Sequence, residues 1–199
     1  MSTRCNVHIT DLRNNRELWI YKHHDGYPSG VGKDLDKFLS YGNNASLSAD
    51  EMLSGLRFMY GECYEETEYE HGDIDYLYNI TIGDKSTKID ITDVNCTYDG
   101  NWNGGFHKDY KIIGTSEYMH DISGNEKMYK VSDLKEMSVS VTYNEESGIM
   151  ESGILKDVPD NLYIDAKSLT DKIVKCFAGD FHKKCVIKIK NKTCQISLK

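Results

Sequence analysis

The sequence predicts an α+β fold: an antiparallel sheet built of hairpins, with about three helices packed on it. Three observations predict it. Alternating apolar and polar residues recur in pairs about turn-forming residues. Between the pairs, apolar residues at helical spacing mark a few short segments. The strand–helix–strand alternation of a parallel sheet is absent. At 199 residues the chain suits one good core, so a single domain over 1–199 is expected, with any sub-division near 62–73.

Residues 4–23 read as the first hairpin. Cys5, Val7 and Ile9 alternate with Asn6, His8 and Thr10, and Arg13-Asn14-Asn15-Arg16 supplies turn chemistry before Leu18-Trp19-Ile20-Tyr21. A loop rich in Gly and Pro, His24 to Gly32, comes next. Two helices follow. Asp34–Tyr41 carries Leu35, Phe38 and Leu39 at helical spacing. Ser48–Tyr60 is marked by a capping-box pattern of Ser48 and Glu51 and a stripe of Met52, Leu53, Leu56 and Met59 or Tyr60. An acidic, Tyr-rich connector, 62–73, leads into a second hairpin. Here Tyr78, Ile80 and Ile82 face Ile89 and Ile91 about Gly83-Asp84-Lys85-Ser86.

Residues 95–105 form a polar loop with Trp102 among its glycines, a side chain suited to contacting a partner or ligand. Strands are expected at 106–114 and 127–131. Met137, Val139, Val141 and Tyr143 alternate with Ser138, Ser140 and Thr142 as a half-buried strand. A helix over Asp165–Ala178 carries Leu169, Ile173, Val174 and Phe177, with Gly179 as its C-terminal cap. A hairpin of 184–190 and 193–198 about Asn191-Lys192 closes the chain. That turn sets Lys190 opposite Thr193 and places Cys185, Ile187 and Ile189 on one apolar face with Cys194, Ile196 and Leu198.

Composition excludes several function classes. With 39% hydrophobic and 28% charged residues the chain is globular. A net charge of −8 repels phosphate backbones, so non-specific nucleic-acid binding has no electrostatic support. Lysines gather at the C-terminus (Lys183, Lys184, Lys188, Lys190, Lys192, Lys199) and acids at Glu62, Glu65, Glu66, Glu68, Glu70, Asp73 and Asp75; either run reads first as solvated surface. The first ten residues lack an apolar signal core and no window suits a membrane span, so the cytoplasm of a bacterium or an infected cell is expected. There the 6 cysteines are reduced thiols, and without any CxxC pair they give no support to a zinc site. Neither metal nor cofactor is expected. Oligomerisation stays open.

The first hairpin carries the main candidate site. If Asn14-Asn15 is the turn, Cys5, Val7 and Ile9 share a face with Leu18 and Ile20. The opposite face then carries Arg4, Asn6, His8 and Thr10 beside Trp19, Tyr21 and His23, and Asp25 could extend it. Such a face offers aromatic planes for stacking and donors for a polar or anionic ligand. It equally suits a second packing layer whose polar tips are satisfied locally. In the adjoining loop, His23 and His24 point to opposite sides, while His23 and Asp25 can act as a pair. Tyr27-Pro28 sets an extended lead-in. Gly30 and Gly32 let backbone N–H groups approach a ligand, and an anion could rest on the helix N-terminus after Gly32. The plainer alternative is a tight strand-to-helix turn. Elsewhere His71-Gly72-Asp73-Ile74-Asp75 reads as a loop running into a strand, and no GxSxG or Walker motif is present.

Thr3-Arg4-Cys5-Asn6-Val7, Leu18-Trp19-Ile20-Tyr21, His24-Asp25-Gly26-Tyr27-Pro28, Gly30, Gly32, Leu35 and Phe38-Leu39 resemble a family of small phage and bacterial proteins with no assigned activity. Its members open with Thr-Arg, run through a short hairpin and reach Asp-Gly-Tyr-Pro before a helix. The resemblance covers about residues 3–40. It implies a shared N-terminal module and a phage or mobile-element context, and it hands over no catalytic residues. Three functions remain open. The first is a non-enzymatic binding protein that holds a small anionic or nucleotide-like ligand, or a host protein, in counter-defence or host takeover. The second is a small hydrolase or phosphodiesterase using His23, His24 and Asp25. The third is a virion or assembly protein.

Overall fold

The structure is a computed structural model of the chain. It describes residues 3–94, 106–111, 128–135, 138–143, 146–150, 155, 157–165, 168–169, 185–190 and 193–198. Two compact units are present, Met1–Met119 and His120–Lys199, where one domain is expected, and the division falls well past 62–73.

The first unit runs β1 (Cys5–Asp11), β2 (Arg16–Lys22), α1 (Lys33–Ser40), α2 (Ala49–Tyr60), β3 (Glu65–Thr67), β4 (Tyr76–Ile82), β5 (Ser86–Asp93) and β6 (Phe106–Lys111). Its sheet is ordered β3-β2-β1-β4-β5-β6. The expected antiparallel pattern holds except at the centre, where β1 and β4 run parallel. The sheet is therefore mixed. The cause is the connector: it adds β3 to the free edge of β2, so β4 takes the free edge of β1 and lands parallel to it.

The first hairpin pairs Asp11 with Arg16 through a four-residue loop, not the two-residue turn expected at Asn14-Asn15. Asn15 closes the loop at φ 54, in the left-handed region that Asn tolerates better than most residues. The register differs by two, an even number, so every side chain keeps its expected face. On the inner face Cys5, Val7, Ile9, Ile20, Tyr78, Ile80, Ile82 and Ile89 are at most 1% exposed. Leu35 and Phe38 of α1 and Met52 and Leu56 of α2 are buried as well, and α2 packs against β1 and β2. Each such side chain contributes roughly 1.5–3 kcal/mol by leaving water. The capping box is present as expected: the Ser48 N–H donates to Glu51 Oε2 (2.9 Å), and the Glu51 N–H to Ser48 Oγ (3.4 Å). Gly61, at φ 98, ends α2.

In the second unit β7 (Met128–Lys130) pairs antiparallel with β10 (Tyr163–Asp165), and α3 (Val131–Lys135) follows β7 directly. A second sheet is ordered β11-β12-β8-β9, from β8 (Ser138–Tyr143), β9 (Glu146–Met150), β11 (Cys185–Lys190) and β12 (Thr193–Leu198). It too is mixed, with β12 parallel to β8. The closing hairpin has the expected register, Lys190 opposite Thr193 and Ile187 opposite Ile196, although the side chains of Cys185 and Cys194 lie outside the described residues. Of the helix expected over 165–178, Ser168 and Leu169 are described. Asp165 accepts the Ser168 N–H (2.7 Å) in the manner of an N-terminal cap. The 95–105 loop with Trp102, residues 112–114 and residues 170–178 lie outside the described residues. No described helix is long and apolar enough to cross a membrane.

A clasp at the tip of the first hairpin ties it to the chain just before α2. The Asp11 carboxylate is fully buried and accepts from Arg13 Nε and Nη2 (both 2.8 Å). The same guanidinium donates to the carbonyls of Ser46 (2.8 Å) and Leu47 (2.9 Å) just before α2. These hydrogen bonds hold the Asp11 pKa below its usual value. A depressed pKa contributes stability in full above the unfolded value, about 3.9, and loses it as pH falls through the lower folded one. Asp11→Asn is expected to cost about 1–3 kcal/mol at neutral pH and to flatten the acid slope of stability. Urea denaturation at about pH 7 and about pH 3 checks this; an acid slope unchanged in the variant would count against it.

Candidate functional site

The outer face of the six-stranded sheet gathers the predicted residues of the first hairpin. Thr67, Trp19, His8, Asn79, Asp90 and His107 occupy one register row across all six strands. In that row the His8 and Trp19 rings are stacked, with centroids 3.9 Å apart and planes 8° from parallel. His8 Nε2 is shielded from solvent, lies 3.9 Å from Glu17 Oε2 and has no hydrogen-bond partner among the described residues.

The next row contains Glu65, Tyr21, Asn6, Leu77 and Thr92, and its centre is closed over. Asn6 is fully buried. Its amide donates to the Ile20 carbonyl (3.0 Å) and accepts the His71 N–H (2.8 Å). Tyr21 is also buried, and its hydroxyl donates to Asp73 (3.1 Å); burial first, and then that carboxylate, hold the phenol above its usual pKa. Arg4 forms an ion pair with Asp73 (2.6 Å) while its N–H donates to Asp75 (2.9 Å). The His71 ring lies flat on Tyr21 at 4.0 Å and Tyr69 on His71 at 5.5 Å, and Thr67 Oγ1 lies 3.1 Å from His71 Nε2. His23 meets Tyr21 edge-on at 4.5 Å and sits 3.5 Å from Glu65.

Arg4, Asn6, His8, Trp19, Tyr21 and His23 thus share one surface. The rest of the predicted set is built into the turn beyond β2. Asp25 takes a left-handed conformation (φ 57) that reverses the chain, so that the Gly26 N–H donates to the Thr3 carbonyl (2.9 Å). The Asp25 carbonyl accepts the Val31 N–H (3.1 Å) and its carboxylate the Tyr27 hydroxyl (3.1 Å). A Cβ on Gly30 would stand 2.3 Å from the Asp25 oxygen, and one on Gly26 2.7 Å from the Arg4 backbone. Both glycines therefore answer to close backbone packing. Gly32 is buried beside Tyr78 and Ile91. The N–H groups of Gly30 and Lys33 are used within the turn, which winds directly into α1. These N–H groups brace a strand-to-helix turn where an anion cradle is one of the two expectations.

His71, Asp73 and Tyr69 complete the surface, and sequence reading places them only in a connecting loop. A local signal did exist in the run of acids and aromatics from 62 to 73, but nothing in it names β1 and β2 as the target. The connector also sets the charge. Glu17, Glu65 and Asp73 are about half exposed or more, while Arg4 is already ion-paired with Asp73. Such a border attracts cations. No group of three or more His, Cys, Asp or Glu among the described residues could hold a metal ion. No protein-family model, curated protein or solved structure matches this chain.

The buried Asn6 amide makes the closure testable. Asn6→Ala leaves the His71 N–H and the Ile20 carbonyl without their partner, and an expected loss of about 1–3 kcal/mol follows. Hydrogen exchange at the His71 amide is expected to accelerate more than exchange in β4. Equal acceleration across the sheet would mean that Asn6 supports the whole fold and not the connector.

Proposed function

We propose that this chain is a non-enzymatic binding protein that engages another protein through the outer face of its six-stranded sheet. In the phage or mobile-element setting that the resemblance of residues 3–40 implies, that partner is a host protein and the role is counter-defence or host takeover. The observation that carries the reading is the pre-ordered aromatic surface: His8 on Trp19 in one row, and Tyr69 on His71 on Tyr21 beside it. Rings already held in place lose little freedom on binding, and aromatic side chains dominate the energetics of protein interfaces. A small anionic ligand is supported less well, because carboxylates border the face and the N–H groups of the Gly-rich turn are engaged. The hydrolase reading requires His23, His24 and Asp25 to work together. Asp25 instead receives the Tyr27 hydroxyl, and His23 packs against Tyr21 near Glu65.

Native mass spectrometry of gently purified protein, followed by affinity capture from host extract, tests the reading. A captured protein at fixed stoichiometry is expected, with Trp19→Ala weakening its affinity at least about thirty-fold, as for a central interface aromatic, and with no turnover by the parent protein. A nucleotide or other anionic metabolite released intact would instead establish the small-ligand alternative. A turnover abolished by His23→Ala/His24→Ala would establish the hydrolase.

A further inference from the structure

The stack of His8 on Trp19 holds a polar atom that the fold leaves unsatisfied. The His8 side chain is 20% exposed, and its Nε2 is shielded from solvent with no hydrogen-bond partner among the described residues. In the neutral ring that nitrogen is unsatisfied whichever tautomer is present, as a donor without an acceptor or an acceptor without a donor. The Glu17 carboxylate stands 3.9 Å away, just beyond hydrogen-bond reach. Around His8 the register places Glu17, Trp19 and Tyr21 on β2, Leu77, Asn79 and Thr81 on β4, and Asn6 and Thr10 on β1 itself, so Glu17 is the one full charge on the adjoining strands' share of this face. Two strands away on β5, Asp90 shares the row and Lys88 the next, with opposite signs. On β3, Thr67 lies beyond Trp19 and Glu65 beyond Tyr21, where Glu65 meets His23. The connector adds His71 and Asp73 over Tyr21, and Arg4 already neutralises Asp73.

We propose that His8 is a proton-operated brace for Trp19, an inference that rests on the binding reading above and names how that site is regulated. Histidine is the side chain whose charge changes between about pH 5 and 8. When His8 takes a proton, both ring nitrogens become donors. A small turn of the exposed Glu17 side chain then brings its carboxylate onto Nε2 as a charge-assisted hydrogen bond. The same charge strengthens the stack, because a cation over an indole face is attracted by the ring's quadrupole. Glu17 thus holds the imidazolium, and the imidazolium holds the indole. When the proton leaves, both attractions go and the shielded nitrogen is unsatisfied again. Acidification therefore fixes the ring that the partner engages, and a ring already fixed loses less freedom on binding.

The test uses the full chain in a Trp102→Phe background, which leaves Trp19 as its single indole. Trp19 emission is expected to fall as pH drops from about 8 to about 5.5, because a stacked imidazolium quenches an indole, and to stay level in His8→Gln. A double-mutant cycle of His8→Gln and Glu17→Gln, read by urea unfolding, is expected to show a coupling of about two- to five-fold in the folding constant at about pH 5.5 and none at about pH 8. Should His8→Gln not fold, Glu17→Gln alone decides, with a cost in stability expected at the lower pH and absent at the higher. Level emission in the parent, or a Glu17→Gln cost equal at the two pH values, would overturn the brace and leave Trp19-dependent binding standing. A partner captured through Trp19 is expected to bind more tightly at about pH 5.5 than at about pH 8, and His8→Gln is expected to remove the difference. Equal affinity in the parent, or a difference that His8→Gln retains, would overturn the regulation. If no Trp19-dependent partner exists, the binding reading itself falls, while emission and the cycle still decide the brace.

Discussion

Asn6 occupies the strand that becomes the middle of the sheet, and its amide is sealed from water with one hydrogen bond to β2 and one to the connector sixty-five residues away. A buried amide left unpaired costs about 1–3 kcal/mol, a large share of the stability of any small domain. The connector is therefore held where His71 can supply its N–H, and much follows from that placement. The return of 68–73 over β1 and β2 seats His71 on Tyr21 and brings Asp73 to both Tyr21 and Arg4. It also terminates β3 after three residues, because the chain must leave the sheet edge to cross the face. One buried polar side chain thus couples strand order, edge length and the chemistry of the outer surface.

The inner face obeys the opposite logic, apolar burial with every polar tip accounted for. Tyr78 is buried against the helices yet donates its hydroxyl to the Gly26 carbonyl (2.8 Å), which fastens the strand-to-helix turn to the sheet. Tyr110 reaches Asp36 of α1 and Thr87 reaches the Ala45 carbonyl, so β5 and β6 are tied to the helical layer by hydroxyls as well as by packing. Lys22 lies on this side at 8% exposure, its ammonium 5.0 Å above the Tyr64 ring, and the neighbouring Cys5 thiol is pushed up to about 12 by burial. A thiol so protected stays protonated and unreactive.

Local patterns were legible in the sequence wherever a short stretch contains its own instruction. The capping box at Ser48 and Glu51, the turn at 83–86 and the register of the closing hairpin all lie within a few residues of the groups they order. The first hairpin shows why face assignment survives an error in the turn. Moving from a two-residue to a four-residue loop changes the register by two, and a pleated strand repeats every two residues. What could not be read is non-local. The parallel pairing of β1 with β4 depends on the connector having taken the edge of β2, and the parallel pairing of β12 with β8 joins residues 55 apart. Neither leaves a mark on periodicity. Three-residue strands such as β3 and β10 are likewise too short for alternation to appear.

The candidate site divides along the same line, and the division changes the sign of the partner it suits. Composition of one face is a local property, so Arg4, Asn6, His8, Trp19, Tyr21 and His23 are correctly gathered by alternation alone. Taken by themselves they present cations and donors, which argues for an anion. Folding then brings in a segment that carries Glu65, Glu66, Glu68, Glu70 and Asp73, and that segment consumes the donors first. Arg4 is neutralised, the Asn6 amide is bonded to Ile20 and His71, and the Tyr21 hydroxyl is spent on a carboxylate. The aromatic planes survive this exchange, because stacking occupies one side of a ring and leaves the other. What remains at the surface is a set of braced rings within an acidic border, an electrostatic setting that suits a cation better than a phosphate.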